Sequence, residues 1–210
     1  HTSRTVTRVF GDARLSAVEI ARVDACMCPI AGTEEIVPCD ALILSVGLIP
    51  ENELAESIGV PLDPKTKGAI VDERNETLLG GVFACGNALH VNDLVDYVSE
   101  SGEIAGKAAA NRARTPRGLV PVECDGSLLY VVPQRLDSAA DAAERVFFFR
   151  ASADMDNAAL TVTKGDHVLL KKKYAHLRPP EMERLSLPLA PEQLCGAEPI
   201  LFRLEEIDHA

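Results

Sequence analysis

The sequence predicts an α/β half followed by a β-sandwich-like C-terminal domain, on three observations. Two apolar runs, Ala41-Leu42-Ile43-Leu44-Ser45-Val46 and Val82-Phe83-Ala84-Cys85, each lead into a glycine. Such uninterrupted runs suit strands covered on both faces, as in parallel sheets. From about Asp93 to Arg112, Leu94, Val95, Val98, Ala105, Ala108 and Ala109 recur at helical spacing. After Thr115-Pro116-Arg117-Gly118 the texture changes to short strand-like runs over 119–124, 127–133, 145–151, 158–163, 166–173, 183–188 and 199–206. Closely spaced short strands separated by turns such as Asp125-Gly126, Lys164-Gly165-Asp166 and Pro179-Pro180 point to a β-rich module.

The elements of the first half follow in order. Thr5 to Phe10 alternates as a strand, Gly11-Asp12 turns, and Leu15 to Val23 reads as a second strand with Val18, Ile20 and Val23 as apolar members. Gly32 to Glu35 is a turn before the run that ends at Val46. Pro50 to Gly59 reads as a short helix with acidic residues in its first turn and a glycine stop. Asp63 to Gly68 is turn chemistry, Ala69 to Asp72 a short strand, and Val82 to Gly86 a second buried strand. In the long helix Gly102 and Gly106 add a small-residue face, which suits either close packing against a sheet or ligand or tight helix packing alone.

Composition narrows the function classes. The chain has 210 residues, 47% hydrophobic and 25% charged, which is enough for one large domain or two small ones with a real core. A net charge of −11 makes it a poor general binder of phosphate backbones, so no nucleic-acid partner is expected. No apolar run reaches the ~18 residues of a membrane helix, and no signal-peptide pattern opens the chain. Six cysteines in a chain that needs no staples indicate a reducing, cytoplasmic location. Cys26, Cys28 and Cys39 have no fourth partner at a familiar metal spacing, so no metal is expected. Cys85 is expected to pack as a small hydrophobe.

There is no G-x-G-x-x-G, P-loop, G-x-S-x-G or H-E-x-x-H. The chemistry-bearing feature is instead the pair of apolar runs ending at Gly47 and Gly86. In open α/β sheets ligands bind outside the strand C-termini, where glycine permits close approach to the backbone. Asn87 adds a short polar side chain there. The helix beginning near Asn92 and Asp93 offers unpaired N–H groups and partial positive charge. The Asp93 and Asp96 side chains oppose that charge, so the backbone itself must favour an electron-rich group.

The stretch Thr77-Leu78-Leu79-Gly80-Gly81-Val82-Phe83-Ala84-Cys85-Gly86-Asn87 resembles the second flavin-binding motif of the pyridine nucleotide-disulfide oxidoreductases, which include thioredoxin-reductase-like enzymes. Cys39-Asp40-Ala41-Leu42-Ile43-Leu44-Ser45-Val46-Gly47-Leu48-Ile49-Pro50 resembles the family's strand leaving the NAD(P)H domain. Order and spacing agree, and the resemblance covers about residues 1–113. Residues 114–210 resemble the extra C-terminal module of bacterial FAD-dependent oxidoreductases linked to anaerobic glycerol-3-phosphate metabolism.

The resemblance implies Rossmann-like FAD- and NAD(P)-binding domains, present here in part. Residues 1–47 would be the tail of the NAD(P)H-binding domain, 48–114 the C-terminal half of the FAD-binding domain, and 115–210 the β-rich module. Gly86 would let the FAD chain pass. Asn87 stands where the family has an aspartate that bonds the ribityl hydroxyls; it can still donate and accept but carries no charge. The backbone near Asp93, Leu94 and Val95 would lie beside the isoalloxazine N1/O2 edge, where the helix dipole stabilises anionic reduced flavin. Gly47 and Pro50 would shape the link between the nucleotide domains.

The chain starts at His1 and within a strand reading, and the family's two Gly-rich turns would precede it. The resemblance therefore implies the C-terminal part of a longer enzyme, which alone lacks the pyrophosphate site and holds FAD poorly. Its cofactors would be FAD and NAD(P)H, and its partner a redox protein or a small-molecule substrate; an oligomer is compatible with the sequence. The competing expectation is a non-catalytic module that docks a redox partner through its β-rich domain. No catalytic residue is assigned. His90 is either a proton donor near flavin or a loop histidine bonded to backbone. Lys171-Lys172-Lys173 is either a docking patch or a solvated strand end. Phe147-Phe148-Phe149 must send alternate rings to opposite faces of a strand.

Overall fold

A computed structural model describes residues 1–45, 47–111 and 117–207. It contains two compact units, His1–Gly47 and Leu48–Ala210. In the first, β1 (Arg4–Gly11), β2 (Leu15–Arg22) and β3 (Glu35–Pro38) form an antiparallel sheet in chain order. The alternation seen in the sequence sets the faces, and β2 buries Val18, Ile20 and Ala21.

The expected strand over Ala41–Val46 does not form. Residues 41–45 lie outside any strand, and Ile43 is 92% exposed; Val46 lies outside the described residues. A strand covered on both faces needs neighbours that take its ladder bonds and pack on its side chains. Among the described residues nothing pairs with 41–45, and the nearest strand ends at Pro38, which has no N–H to extend a ladder.

The second unit opens with α1 (Glu53–Ser57), preceded by Asn52 and followed by Gly59 at φ +83°. Residues 60–90 are held by the single bridges Leu62–Ala69, Val71–Thr77 and Glu76–Phe83 rather than by the two expected strands. The backbone groups are consumed locally. Thr77 N–H bonds Val82 at 2.8 Å and Ala84 N–H bonds Asn75 at 3.0 Å. The buried Asp72 carboxylate accepts from Arg74 and Glu76 N–H in an Asx turn. Cys85 is consequently exposed, not buried in a strand. A 3-10 turn over Gly86–Ala88 leads to α2 (Val95–Ala110).

The β-rich part matches the expected runs closely. It comprises β4 (Leu119–Cys124), β5 (Leu128–Val132), β6 (Arg135–Asp137), β7 (Ala143–Ala151), β8 (Met155–Lys164), β9 (His167–Leu177), β10 (Glu183–Leu189), a short α3 (Pro191–Leu194) and β11 (Ile200–Glu206). The sheets run β10-β7-β5 and β6-β4-β11-β8-β9. Phe147 and Phe149 join Leu160, Val162, Ile200 and Phe202 in one core fed by both sheets. Phe148 points the other way, with its ring 5.3 Å from both His90 and Tyr97. A second cluster packs Val60, Ala69, Val71 and Leu89 against Tyr130 and Val132 of β5. Among the described residues strands thus far outnumber helices, and no helix is long and apolar enough to cross a membrane.

Candidate functional site at the start of helix α2

The sharp turn at Gly86 has a direct cause. Its φ is +62°, a left-handed value that glycine adopts without penalty. Its N–H donates to Ser101 Oγ at 3.0 Å, and a Cβ at this position would sit 3.2 Å from Val98 Cγ1. Ser101 is buried in α2 and also accepts from Asn75 Nδ2, at 3.1 Å to Oγ and 3.0 Å to its carbonyl. The turn is anchored from the other side by Asn52, whose Nδ2 donates to Ala88 O at 2.8 Å and Lys67 O at 3.0 Å. Pro50 therefore lies two residues before a residue that grips the Gly86–Ala88 turn.

Asn87 organises the loop into α2. Its Oδ1 accepts from Asn92 N–H at 3.1 Å and from Asn92 Nδ2 at 3.4 Å. Leu94 then caps the helix without a side-chain bond, and Leu94 and Val95 are 52% and 79% exposed. Tyr97 N–H turns back onto Leu94 O at 3.2 Å, but the N–H groups of Val95 and Asp96 have no intrahelical acceptor, so this end keeps its partial positive charge toward an open surface. Asp93 does not cancel it freely. Its carboxylate is bound by Arg150 of β7 and accepts Met182 N–H at 2.6 Å. Arg150 also donates to Tyr130 Oη at 2.9 Å and to the Pro180 carbonyl. Burial works against the Arg150 charge, but the bonds to Asp93 and Tyr130 outweigh it and hold its pKa above the usual value.

The structure thus brings Gly86, Asn87, Asp93, Leu94 and Val95 together at one helix start. Gly47 is exposed at φ +89° in the first unit. Within the second unit, Gly86 to Val95 are framed by a turn packed on a helix. Gly102 and Gly106 face no atom within 4 Å of a built Cβ, so their packing role is not expressed within these residues. His90 is 2% exposed among Tyr130 and Phe148, and burial pushes its imidazole down to about 4. It is neutral at pH 7 and cannot serve as a ready proton donor. Lys171, Lys172 and Lys173 are exposed within β9 rather than at a strand end, with Lys172 4.7 Å over the Tyr174 ring.

Sequence reasoning missed Asn52, Ser101 and Arg150. Ser101 adjoins the small-residue face, which was a usable signal; Arg150 sits in an ordinary strand and gave none. All six cysteines are free, and no group of residues suited to a metal occurs among the described residues.

The profile of the pyridine nucleotide-disulphide oxidoreductase family matches residues 1–118. The chain belongs to this family. The ferredoxin–NADP reductase of Ignicoccus hospitalis is 33% identical over 85 residues, which are 40% of this chain and 27% of that protein. The chain therefore corresponds to about a quarter of the length of this relative. Within the family match lie both strips singled out above, around Gly47–Pro50 and Gly86–Val95.

Proposed function

We propose that the chain is the C-terminal part of an FAD-dependent, NAD(P)-linked oxidoreductase passing electrons between a nicotinamide and a redox partner protein or small substrate. Residues 1–47 are the tail of the NAD(P)H-binding domain, 48–114 the returning half of a Rossmann-like FAD domain, and 115–210 a β-sandwich-like module. The enzyme works in the cytoplasm. Family membership supports the chemistry, and the named relative supports a nicotinamide and an electron-transfer partner.

One observation carries the reading: the open, uncapped start of α2, with Asp93 neutralised by Arg150, stands beside the left-handed turn at Gly86. Those residues fit the electron-rich edge of a flavin ring. The N–H groups near Leu94 and Val95 would bond it and the helix charge would favour added negative charge on it. The absence of a side chain at Gly86 and the amide of Asn87 would hold the adjoining chain. Bound FAD would supply the acceptance of hydride from the nicotinamide and the onward transfer of electrons. Arg150 matters because it keeps the Asp93 carboxylate from repelling that charge. Gly47 and Pro50 would set the connection between nucleotide domains.

The test is the purified product of the complete reading frame. It should show flavin absorbance that bleaches anaerobically with NADH or NADPH, and its upstream sequence should contain a G-x-G-x-x-G turn after an apolar strand. A colourless protein, or a frame without such a turn, overturns the proposal in favour of a docking module.

A further inference from the structure

Contacts from the β-rich part converge on α2 and its lead-in. Arg150 of β7 binds the Asp93 carboxylate through both Nη atoms, and its Nη2 also donates to Val91 O at 3.3 Å. Met182 N–H donates to Asp93 Oδ2 at 2.6 Å. Arg150 is itself held by Tyr130 Oη, 2.9 Å from its Nε, and by the Pro180 carbonyl. Further along α2, Arg184 of β10 donates to the Glu100 carboxylate at 2.7 and 3.3 Å. Arg150, Met182 and Arg184 all lie beyond residue 118, where the family match ends.

This fastening has a consequence for charge as well as for packing. Asp93 stands directly before Leu94, the residue that caps α2. An unbound carboxylate at that place would settle on the positive helix end and cancel it. Bound to a guanidinium whose side chain is only 11% exposed, the Asp93 charge is matched by β7 instead. Asp96, also in the first turn, is exposed, and water screens it. The positive helix end is thus left for a ligand because a residue from the β-rich part occupies the carboxylate.

We propose that the β-rich part sets the reduction potential of the bound flavin, with Arg150 as a positioning residue that acts through Asp93. The inference rests on the flavin reading above and gives the second half of the chain a role in that site. Reduction adds negative charge at the ring edge that this helix start would meet, so a matched Asp93 eases reduction and an unmatched one opposes it. Loss of Arg150 alone lowers the potential, loss of the Asp93 charge alone raises it, and loss of both leaves it near its starting value. A brace without an electrostatic part would not produce this pattern of signs.

The test is the flavin potential of the complete reading frame's product, read against a reference dye during anaerobic reduction. Arg150→Met should shift the reduced-to-oxidised ratio at fixed potential about tenfold toward oxidised, which is about 30 mV more negative for two electrons. Asp93→Asn should shift it severalfold the other way. The double variant and Arg150→Lys, which keeps the charge, should both stay within about twofold of wild type. Arg150→Met should also speed hydrogen exchange at the Met182 amide, whose acceptor loses its anchor. If Arg150→Met does not fold, the sign for Asp93→Asn and the position of Arg150→Lys still decide. A wild-type protein that holds no flavin overturns the flavin reading and this inference together. Bound flavin whose ratio moves less than about twofold in Arg150→Met and Asp93→Asn, or moves with the opposite sign, overturns this inference and leaves the flavin reading standing.

Discussion

A Cβ on residue 68 would lie 1.7 Å from the Leu89 carbonyl oxygen and 2.4 Å from its carbon, which is backbone that cannot swing aside. Gly68→Ala should therefore destabilise the second unit by about 2 kcal/mol or more, as overpacking of a tight site does. Urea unfolding measures it, and a loss near zero would contradict so close an approach. His90 makes a pH prediction. Its folded pKa of about 4 is below the 6.5 of an exposed imidazole, so between these values the unfolded chain binds more protons. Stability from this residue is complete above pH 6.5 and is lost as pH falls toward 4, up to about 3 kcal/mol. His90→Gln should flatten the dependence of unfolding midpoint on pH across this window. An imidazole NMR titration with a midpoint at 6 or above would refute it.

At the scale of elements, α2 and its lead-in are tied to their surroundings through Ser101, through Glu100, which pairs with Arg184, and through Asp93. Ser101 Oγ receives the Gly86 N–H, so Ser101→Ala leaves that buried N–H unpaired at a cost of about 1–3 kcal/mol, while Asn75 keeps its bond to the residue 101 carbonyl. The same change should speed hydrogen exchange at the Gly86 amide more than at amides of β7. Unchanged exchange there would show that the turn is held by something else. The Arg150–Asp93 pair ties the helix start to β7. A cycle of Arg150→Met, Asp93→Asn and the double variant should return a coupling of about 1 kcal/mol, because the pair is only partly exposed and shares hydrogen bonds with Tyr130 and Met182. Additive single effects would mean that the two residues do not stabilise each other.

For the whole molecule, the core of the second unit is completed by its own residues. Both sheets feed one cluster, and β5 supplies Tyr130 and Val132 to the cluster that includes Val60, Val71 and Leu89. A protein comprising residues 48–210 should accordingly unfold in one cooperative transition, with all probes coincident. Separate transitions for the 48–111 and 117–207 parts would contradict a shared core.

The strands of the β-rich part were legible because each is a short apolar alternation bounded by turn residues, and that information is local. The same holds for α1, for α2, and for the two family motifs, whose residues come in fixed order along the chain. The runs 41–46 and 82–86 misled because an apolar run reports a demand for cover, not its provision. Residues 41–45 find no pairing partner among the described residues, and 82–84 spend their bonds on a loop a few residues away. By itself, then, the sequence determined element type wherever periodicity was strong, and the family wherever motif order was kept. Only the tertiary structure decided that Arg150 neutralises Asp93 and that Ser101 pins Gly86. Those facts depend on residues far apart in the chain, such as the 57 positions between Asp93 and Arg150, and no local pattern encodes a contact of that range.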